Sequence, residues 1–166
     1  MAKVTFQGNP IETVGDLPKM GENAPDFQLT KNDLSDVSLA DFSGKIKVIN
    51  IFPSVDTSVC ASSVKEFNKR AESLGDTVIL CVSADLPFAS SRFCATEGLN
   101  NVISLSSFRS SFADDYGVRI SEGPLKGLCS RAVIVIGKDN RVLYSEHVKE
   151  ISQQPNYDEA LKSIKE

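Results

Sequence analysis

The stretch "PSVDTSVC", Pro53 to Cys60, runs from a proline that closes an apolar, strand-like segment into a helical pattern, and it sets a thiol in that helix's first turn. The first turn of a helix has unpaired backbone N–H groups and the positive end of the helix dipole, and both favour a thiolate. A cysteine that only fills a core can sit anywhere, so this placement points to nucleophilic or redox chemistry. The chain has four cysteines, Cys60, Cys81, Cys94 and Cys129. None forms a C-x-x-C pair, which argues against a tetrahedral zinc site and against a thioredoxin-type dithiol. The single histidine, His147, falls in the alternating stretch "RVLYSEHV" and reads as a strand residue, so no Ser/His/Asp or Cys/His dyad is assigned. Cys81, inside "VILCV", and Cys129, two residues before Arg131, read as small apolar packing residues.

Several elements must hold these groups. The runs "IKVINIF" (46–52), "TVILCVSA" (77–84) and "RAVIVI" (131–136) are continuous and β-branched, the pattern of strands buried on both faces at the centre of a sheet. Between the first two, Cys60, Val64, Phe67, Ala71 and Leu74 recur at helical spacing and place Cys60 on the core-facing side. Strand, helix and strand over 46–84 form a βαβ unit. "PFASSRFCATEG" reads as a short helix from Pro87 to Gly98, and "SSFRSSFADDYG" as another with Phe108, Phe112 and Tyr116 on one face. An N-terminal hairpin around Gly-Asn-Pro, a short pair in "DFQLT" and "DVSLADF", a hairpin around Gly-Lys-Asp-Asn and a last helix with Tyr157, Leu161 and Ile164 complete the reading. The order is that of a thioredoxin-like α/β sandwich. Fold alone does not name an activity.

A chain of 166 residues without a linker or repeat is expected to form one domain over 1–166. Its 22 acidic and 18 basic residues leave a net charge of −4, and the lysines are scattered, so nucleic acid is not an expected partner. The N-terminus lacks an export-signal pattern and no apolar run reaches membrane-spanning length, so a cytoplasmic protein with reduced thiols is expected.

These residues resemble a known family. "PSVDTSVC" matches the peroxiredoxin pattern P-x-x-x-T-x-x-C, and "SADLPFASSRFC" is similar to the segment around the second cysteine of bacterial thiol peroxidases, the atypical two-cysteine peroxiredoxins. The likeness extends from about Val4 to Lys165 and includes "NIFPS", "EGLNNVISLS", "GPLKGL" and "RAVIVI". The resemblance implies that Cys60 is the peroxidatic nucleophile and Cys94 the resolving cysteine, joined in an intrachain disulfide. Thr57 would position the peroxide, Pro53 would shield the pocket, and Arg131 would hold the thiolate and the reacting oxygens. It further implies an α/β thioredoxin-like sandwich of the peroxiredoxin type with an N-terminal β-hairpin, a homodimer, no metal or organic cofactor, and thioredoxin as reductant in antioxidant defence. Common two-cysteine peroxiredoxins place the resolving cysteine near the C-terminus. Here no cysteine follows Cys129, so that subtype does not fit, and Cys129 itself is a thiol that the resemblance does not require.

Thiolate formation alone does not make a peroxidase. Lowering a thiol pKa from about 8.5 to about 6 raises the thiolate at pH 7 roughly 30-fold. The accompanying loss of nucleophilicity removes roughly 13-fold of that, taking the disulfide-exchange slope as a guide. The larger gain must come from donors aimed at the two peroxide oxygens as charge moves onto the leaving one, for which Thr57, Arg131 and a backbone N–H at Cys60 or its neighbour are suited. The apolar Val55, Val59, Phe88 and Phe93 make alkyl hydroperoxides expected substrates beside hydrogen peroxide. Two other classes use the same residues differently. A peroxide sensor would pass its oxidation to a client protein, and a purely structural or binding domain would carry an unreactive Cys60.

Overall fold

The computed structural model of the protein describes residues 1–165. It begins with strands β1 (Lys3–Phe6), β2 (Asn9–Glu12), β3 (Leu29–Lys31), β4 (Asp36–Val37) and β5 (Ile46–Ile51). Helix α1 (Ser58–Ala71), strand β6 (Thr77–Ser83), helix α2 (Pro87–Glu97), strand β7 (Ile103–Ser106) and the short helix α3 (Phe112–Asp115) follow. Strands β8 (Ala132–Ile136) and β9 (Val142–His147) and helix α4 (Tyr157–Lys162) complete the order. Strands β1 and β2 pair apart from a seven-stranded sheet of order β4-β3-β7-β6-β5-β8-β9. The three continuous runs are neighbours at its centre, with β5 parallel to β6 and antiparallel to β8.

These runs are largely apolar because the sheet is covered on both faces, with the buried Lys47 and Asn50 of β5 as polar exceptions. Ile49, Ile51, Leu80, Val82, Ile134 and Ile136 enter a core with Phe27, Phe112 and Tyr116 on one face. Val48, Ile79, Cys81, Val133 and Val135 enter a second core on the other, with Cys60, Val64 and Phe67 of α1, Phe93 of α2 and Leu161 of α4. Alternate side chains of a strand thus serve two helix layers. The fold is the expected α/β thioredoxin-like sandwich of peroxiredoxin type, with the N-terminal hairpin in place.

Local chemistry sets the helix ends. Thr57 caps α1, and Lys69 and Arg70 occupy its last turn, where they complement the dipole. Pro87 opens α2 and Gly98, at φ 66°, closes it in the left-handed region. Gly117 is required for a second reason: a Cβ there would collide with the Asp16 backbone.

Several expectations change. The N-terminal turn is Gln7–Gly8, both with positive φ, a two-residue connection that matches strand twist; Asn9 and Pro10 already belong to β2. Strand β7, a four-residue piece pairing parallel with β6, lies where no strand was expected. Helix α3 covers only four residues, and Phe108 is 44% exposed rather than on its buried face, because Ser107–Ser110 forms a turn, closed by the Ser110 N–H on the Ser107 carbonyl, in which the Phe108 N–H donates to Ser106 Oγ. Leu74 lies past the end of α1 yet still packs on its core. Among the described residues no helix is long and apolar enough to cross a membrane.

Candidate active site

The chain leaves β5 at the buried Pro53, turns through Ser54–Asp56 and enters α1. The turn is self-tied: Asp56 N–H donates to Ser54 Oγ at 3.1 Å and Thr57 Oγ1 donates to the Ser54 carbonyl at 3.1 Å. Thr57 Oγ1 also accepts the Cys60 N–H at 3.4 Å, so the capping threonine acts directly on the cysteine's main chain. The Cys60 N–H is therefore engaged with Thr57 and is not an idle donor for a peroxide oxygen. Cys60 itself is fully buried, in the first turn and on the core side as its spacing requires.

Arg131 stands immediately before β8, and its side chain is only 1% exposed. Its Nη2 donates to Cys60 Sγ at 3.1 Å and its Nε to the Ile151 carbonyl at 2.7 Å, while Nη1 has no hydrogen-bond partner among the described residues. No carboxylate there forms an ion pair with it. Removing a charge from water without a counter-charge costs several kcal/mol, about the cost of breaking a buried pair. A negative charge arising on sulfur or on a departing oxygen would meet a fixed guanidinium at this point.

Above these groups opens a pocket of about 280 Å³. Pro53, Thr57 and Arg131 line it together with apolar Phe6, Leu128 and Ile151. Four of the five sequence-derived site residues, Cys60, Thr57, Arg131 and Pro53, thus gather in one place. Val59 also lines the pocket, but Val55 and Phe93 are buried elsewhere in the core and Phe88 is 67% exposed.

Cys94 stands apart. It lies in α2, half-buried against the Cys60 core, with its Sγ 3.1 Å from Ser104 Oγ. All four thiols are free. Burial pushes the Cys81 thiol up to about 12 and the Cys129 thiol up to about 11, so both stay protonated near neutrality and pack as the apolar residues their context suggests. His147 is held by Ser130 Oγ, 2.5 Å from its Nε2, and burial lowers its pKa. Among the described residues no three His, Cys, Asp or Glu side chains gather as a metal site.

Sequence reasoning missed the supports. The Ile151 carbonyl that aims Arg131 has no sequence signal, since any residue presents a carbonyl. Glu150 is a second omission: it accepts from Thr5 Oγ1 at 2.9 Å, Gly8 N–H at 2.9 Å and Ser152 N–H at 2.8 Å, binding the N-terminal hairpin to the Ile151 turn. Hydrogen bonds from the Ser152 hydroxyl and backbone, then from Gly8, pull its carboxyl down to about 2. Asp85 is a third, holding the loop before Cys60.

A buried cysteine at a capped helix start, faced by a guanidinium with a spare donor on a thioredoxin-like sheet, defines the redox-thiol class. Residues 19–161 match the Redoxin family, and the chain belongs to it. It is 55% identical over 164 residues to thiol peroxidases of Mycobacterium tuberculosis and Mycobacterium bovis, covering 99% of this chain and 99% of each of those proteins. A peroxiredoxin-like protein from Aquifex aeolicus superposes with TM-score 0.92 at 38% identity, over 99% of this chain and 96% of that one. A thiol peroxidase from Chromobacterium violaceum gives 0.91 at 28%, over 98% and 95%. The protein is accordingly a peroxidase of the peroxiredoxin type.

Proposed function

We propose that Cys60 attacks one oxygen of a hydroperoxide, releasing the alcohol or water and leaving a sulfenic acid, and that Cys94 then condenses with it as an intrachain disulfide. Thioredoxin reduces that disulfide and returns both thiols. The observation that carries this reading is Arg131, with Nη2 at 3.1 Å from Cys60 Sγ and Nη1 unpartnered among the described residues. One guanidinium can hold the sulfur and donate to a peroxide oxygen in a fixed geometry, which an ammonium cannot reproduce. Thr57 aligns the peroxide from the pocket wall, and Pro53 excludes water from the sulfur. Phe6, Leu128 and Ile151 give the pocket an apolar wall that suits alkyl hydroperoxides as well as hydrogen peroxide.

The same reading makes the chain one domain acting as a homodimer in the cytoplasm. Leu86, Phe88 and Phe108 are 51%, 67% and 44% exposed, and Ser106, which bonds both the Asp85 carbonyl and the Phe108 N–H, keeps their segments together. A second copy would cover this apolar surface. Four unbridged thiols suit a reducing compartment.

A coupled assay with thioredoxin, its reductase and a series of peroxides tests the proposal. Sustained turnover abolished by Cys60→Ser and by Cys94→Ser is the expected result. A stable mixed disulfide with a client protein and negligible turnover would instead identify a peroxide sensor.

A further inference from the structure

We propose that the Asp85 carboxylate is a positioning residue that ties the Cys60 loop to the segment opening the Cys94 helix, and so sets the balance between attack on peroxide and closure of the disulfide. The inference rests on the assignment of Cys60 and Cys94 made above.

Asp85 lies between β6 and α2, two residues before Pro87. Its Oδ1 accepts from Ser54 Oγ at 2.8 Å, and its Oδ2 accepts from the Val55 N–H at 2.8 Å and from Ser83 Oγ at 2.7 Å. Ser54 is the hub of the turn before Cys60, since its carbonyl accepts from Thr57 Oγ1 and its hydroxyl accepts from the Asp56 N–H. A single carboxylate therefore anchors the turn that presents the Thr57 cap, and through it the first turn of α1. The main chain of Asp85 is fastened in the opposite direction, its N–H to Ser83 Oγ at 3.3 Å and its carbonyl to Ser106 Oγ at 2.5 Å. No cation forms an ion pair with Asp85 among the described residues, so its partners are the donors of the loop it holds. Hydrogen bonds to an ionised acceptor are about twice as strong as neutral ones. The other link between the two segments, Arg92 to Asp56 at 3.2 Å, is exposed and weak.

With the bonds intact, Cys60 Sγ lies against Arg131, whose guanidinium lines the pocket, the arrangement that peroxide attack needs. Closing the disulfide needs a different arrangement. Two cysteines can be bridged only when their Cα atoms come within about 7 Å and their Cβ vectors converge. Unwinding the first turn of α1 must draw Ser54 and Val55 away from Asp85, and unwinding the start of α2 must move Asp85 itself. Either path breaks the same set of bonds. In the step itself the Cys94 thiolate attacks the Cys60 sulfenic sulfur, the S–S bond forms, the S–O bond breaks, and hydroxide leaves and takes up a proton as water. A second peroxide molecule competes for the same sulfenic acid and converts it to sulfinic acid while becoming an alcohol or water. A tighter hold at Asp85 thus favours the first attack and also prolongs exposure to the second.

The test is Asp85→Asn, which replaces one acceptor oxygen with an N–H donor facing the donors of the loop. Stopped-flow measurement should show the second-order reaction of Cys60 with hydrogen peroxide slowed by at least about tenfold and the first-order disulfide closure accelerated by at least about threefold. Mass spectrometry should show half-conversion to sulfinic acid moving to higher peroxide concentration. Ser54→Ala, which removes one of the bonds to Asp85 together with the acceptor of the Asp56 N–H, should move both rates in the same directions by less, and it decides the matter should Asp85→Asn fail to fold. Leu39→Ala, in the core of the opposite face, should lower thermal stability without moving the two rates in opposite directions. Rates within about twofold of the parent in both variants, or rates falling in parallel, would overturn the positioning role. A parent protein that forms no Cys60–Cys94 disulfide would overturn the underlying assignment, and that result is read before any variant is made.

Discussion

Arg131 Nη2 lies 3.1 Å from Cys60 Sγ while Arg131 Nε lies 2.7 Å from the Ile151 carbonyl, so two segments far apart in sequence fix the plane of one guanidinium. A single contact would leave the group free to rotate about its last bonds. Two contacts orient it, and the remaining Nη1 donor has one direction in which to point. The Ile151 turn is in turn held by Glu150 to the N-terminal hairpin, whose Phe6 walls the pocket. The hairpin, peripheral to the main sheet, is therefore part of how the Arg131 guanidinium is aimed.

Arg131→Lys tests this directly. A lysine ammonium can reach the sulfur or the Ile151 carbonyl, but it cannot hold both and still present a planar second donor. The rate with peroxide should fall on the order of 10²-fold, as when a preorganised donor is lost from a developing negative charge. Alkylation of the same thiol by iodoacetamide, which has no peroxide oxygens to stabilise, should change far less. Equal losses in the two reactions would remove the peroxide-activating role.

Burial pushes the Cys81 and Cys129 thiols up, and the proposed chemistry uses neither. At about 12 and about 11, Cys81 and Cys129 supply almost no thiolate near pH 7. The double variant Cys81→Ala, Cys129→Ala should keep thioredoxin-linked turnover within about threefold of the parent, with a stability loss of roughly 1 kcal/mol per site. A collapse of turnover in a variant shown to be folded would mean a third catalytic thiol.

What was legible in the sequence follows from how far each signal reaches. The strands at the centre show as continuous apolar runs because both faces of each are buried, and Cys60 shows as a first-turn residue because a helix start is marked within a few residues. Thr57 and Pro53 were visible only through the motif, and Cys94 only through its resemblance to a known second cysteine. Strand β7 was hidden because "ISLS" is short and half serine, its burial coming from β6 and β3 beside it. Asp85 and Glu150 were hidden because nothing local distinguishes a carboxylate that binds a distant loop from one that faces water. Their donors lie 30 or more residues away for Ser54 and Val55, and more than 140 for Thr5 and Gly8. Such partnerships exist only after the chain has folded.

His147 makes a pH dependence that carboxylates do not. Burial lowers its pKa below the ordinary 6.5, an effect that Asp16 partly offsets. In the unfolded chain the imidazole binds a proton near 6.5, whereas the folded protein binds it only at lower pH. Unfolding therefore takes up a proton across that window, and stability must fall as pH drops from 7 through 6.5 toward the folded value. The urea midpoint of the parent should decrease from pH 7 to pH 5.5, and His147→Gln should flatten this decrease. Parallel pH profiles for the two proteins would show that His147 is not its source.

The proposed Cys60–Cys94 disulfide predicts a rearrangement after oxidation. Cys60 is fully buried in the capped first turn of α1, and Cys94 lies within α2 with its sulfur on Ser104 Oγ at 3.1 Å. Both helices are intact with both thiols free, Cys60 Sγ on Arg131 Nη2 and Cys94 Sγ on Ser104 Oγ, so each sulfur must leave its present partner before the narrow Cα and Cβ conditions of a disulfide are met. Helix ends open at low free energy, so the accessible route is local unwinding at the start of α1, of α2 or of both, without loss of the sheet beneath them. One equivalent of peroxide should give an intrachain Cys60–Cys94 disulfide by non-reducing peptide mapping. Amide exchange in residues 57–64 and 88–96 should then be faster than in the reduced protein, while the central strands stay protected. A bond between two chains would exclude intrachain resolution by Cys94, and an intrachain bond with unchanged exchange in both segments would exclude the unwinding step.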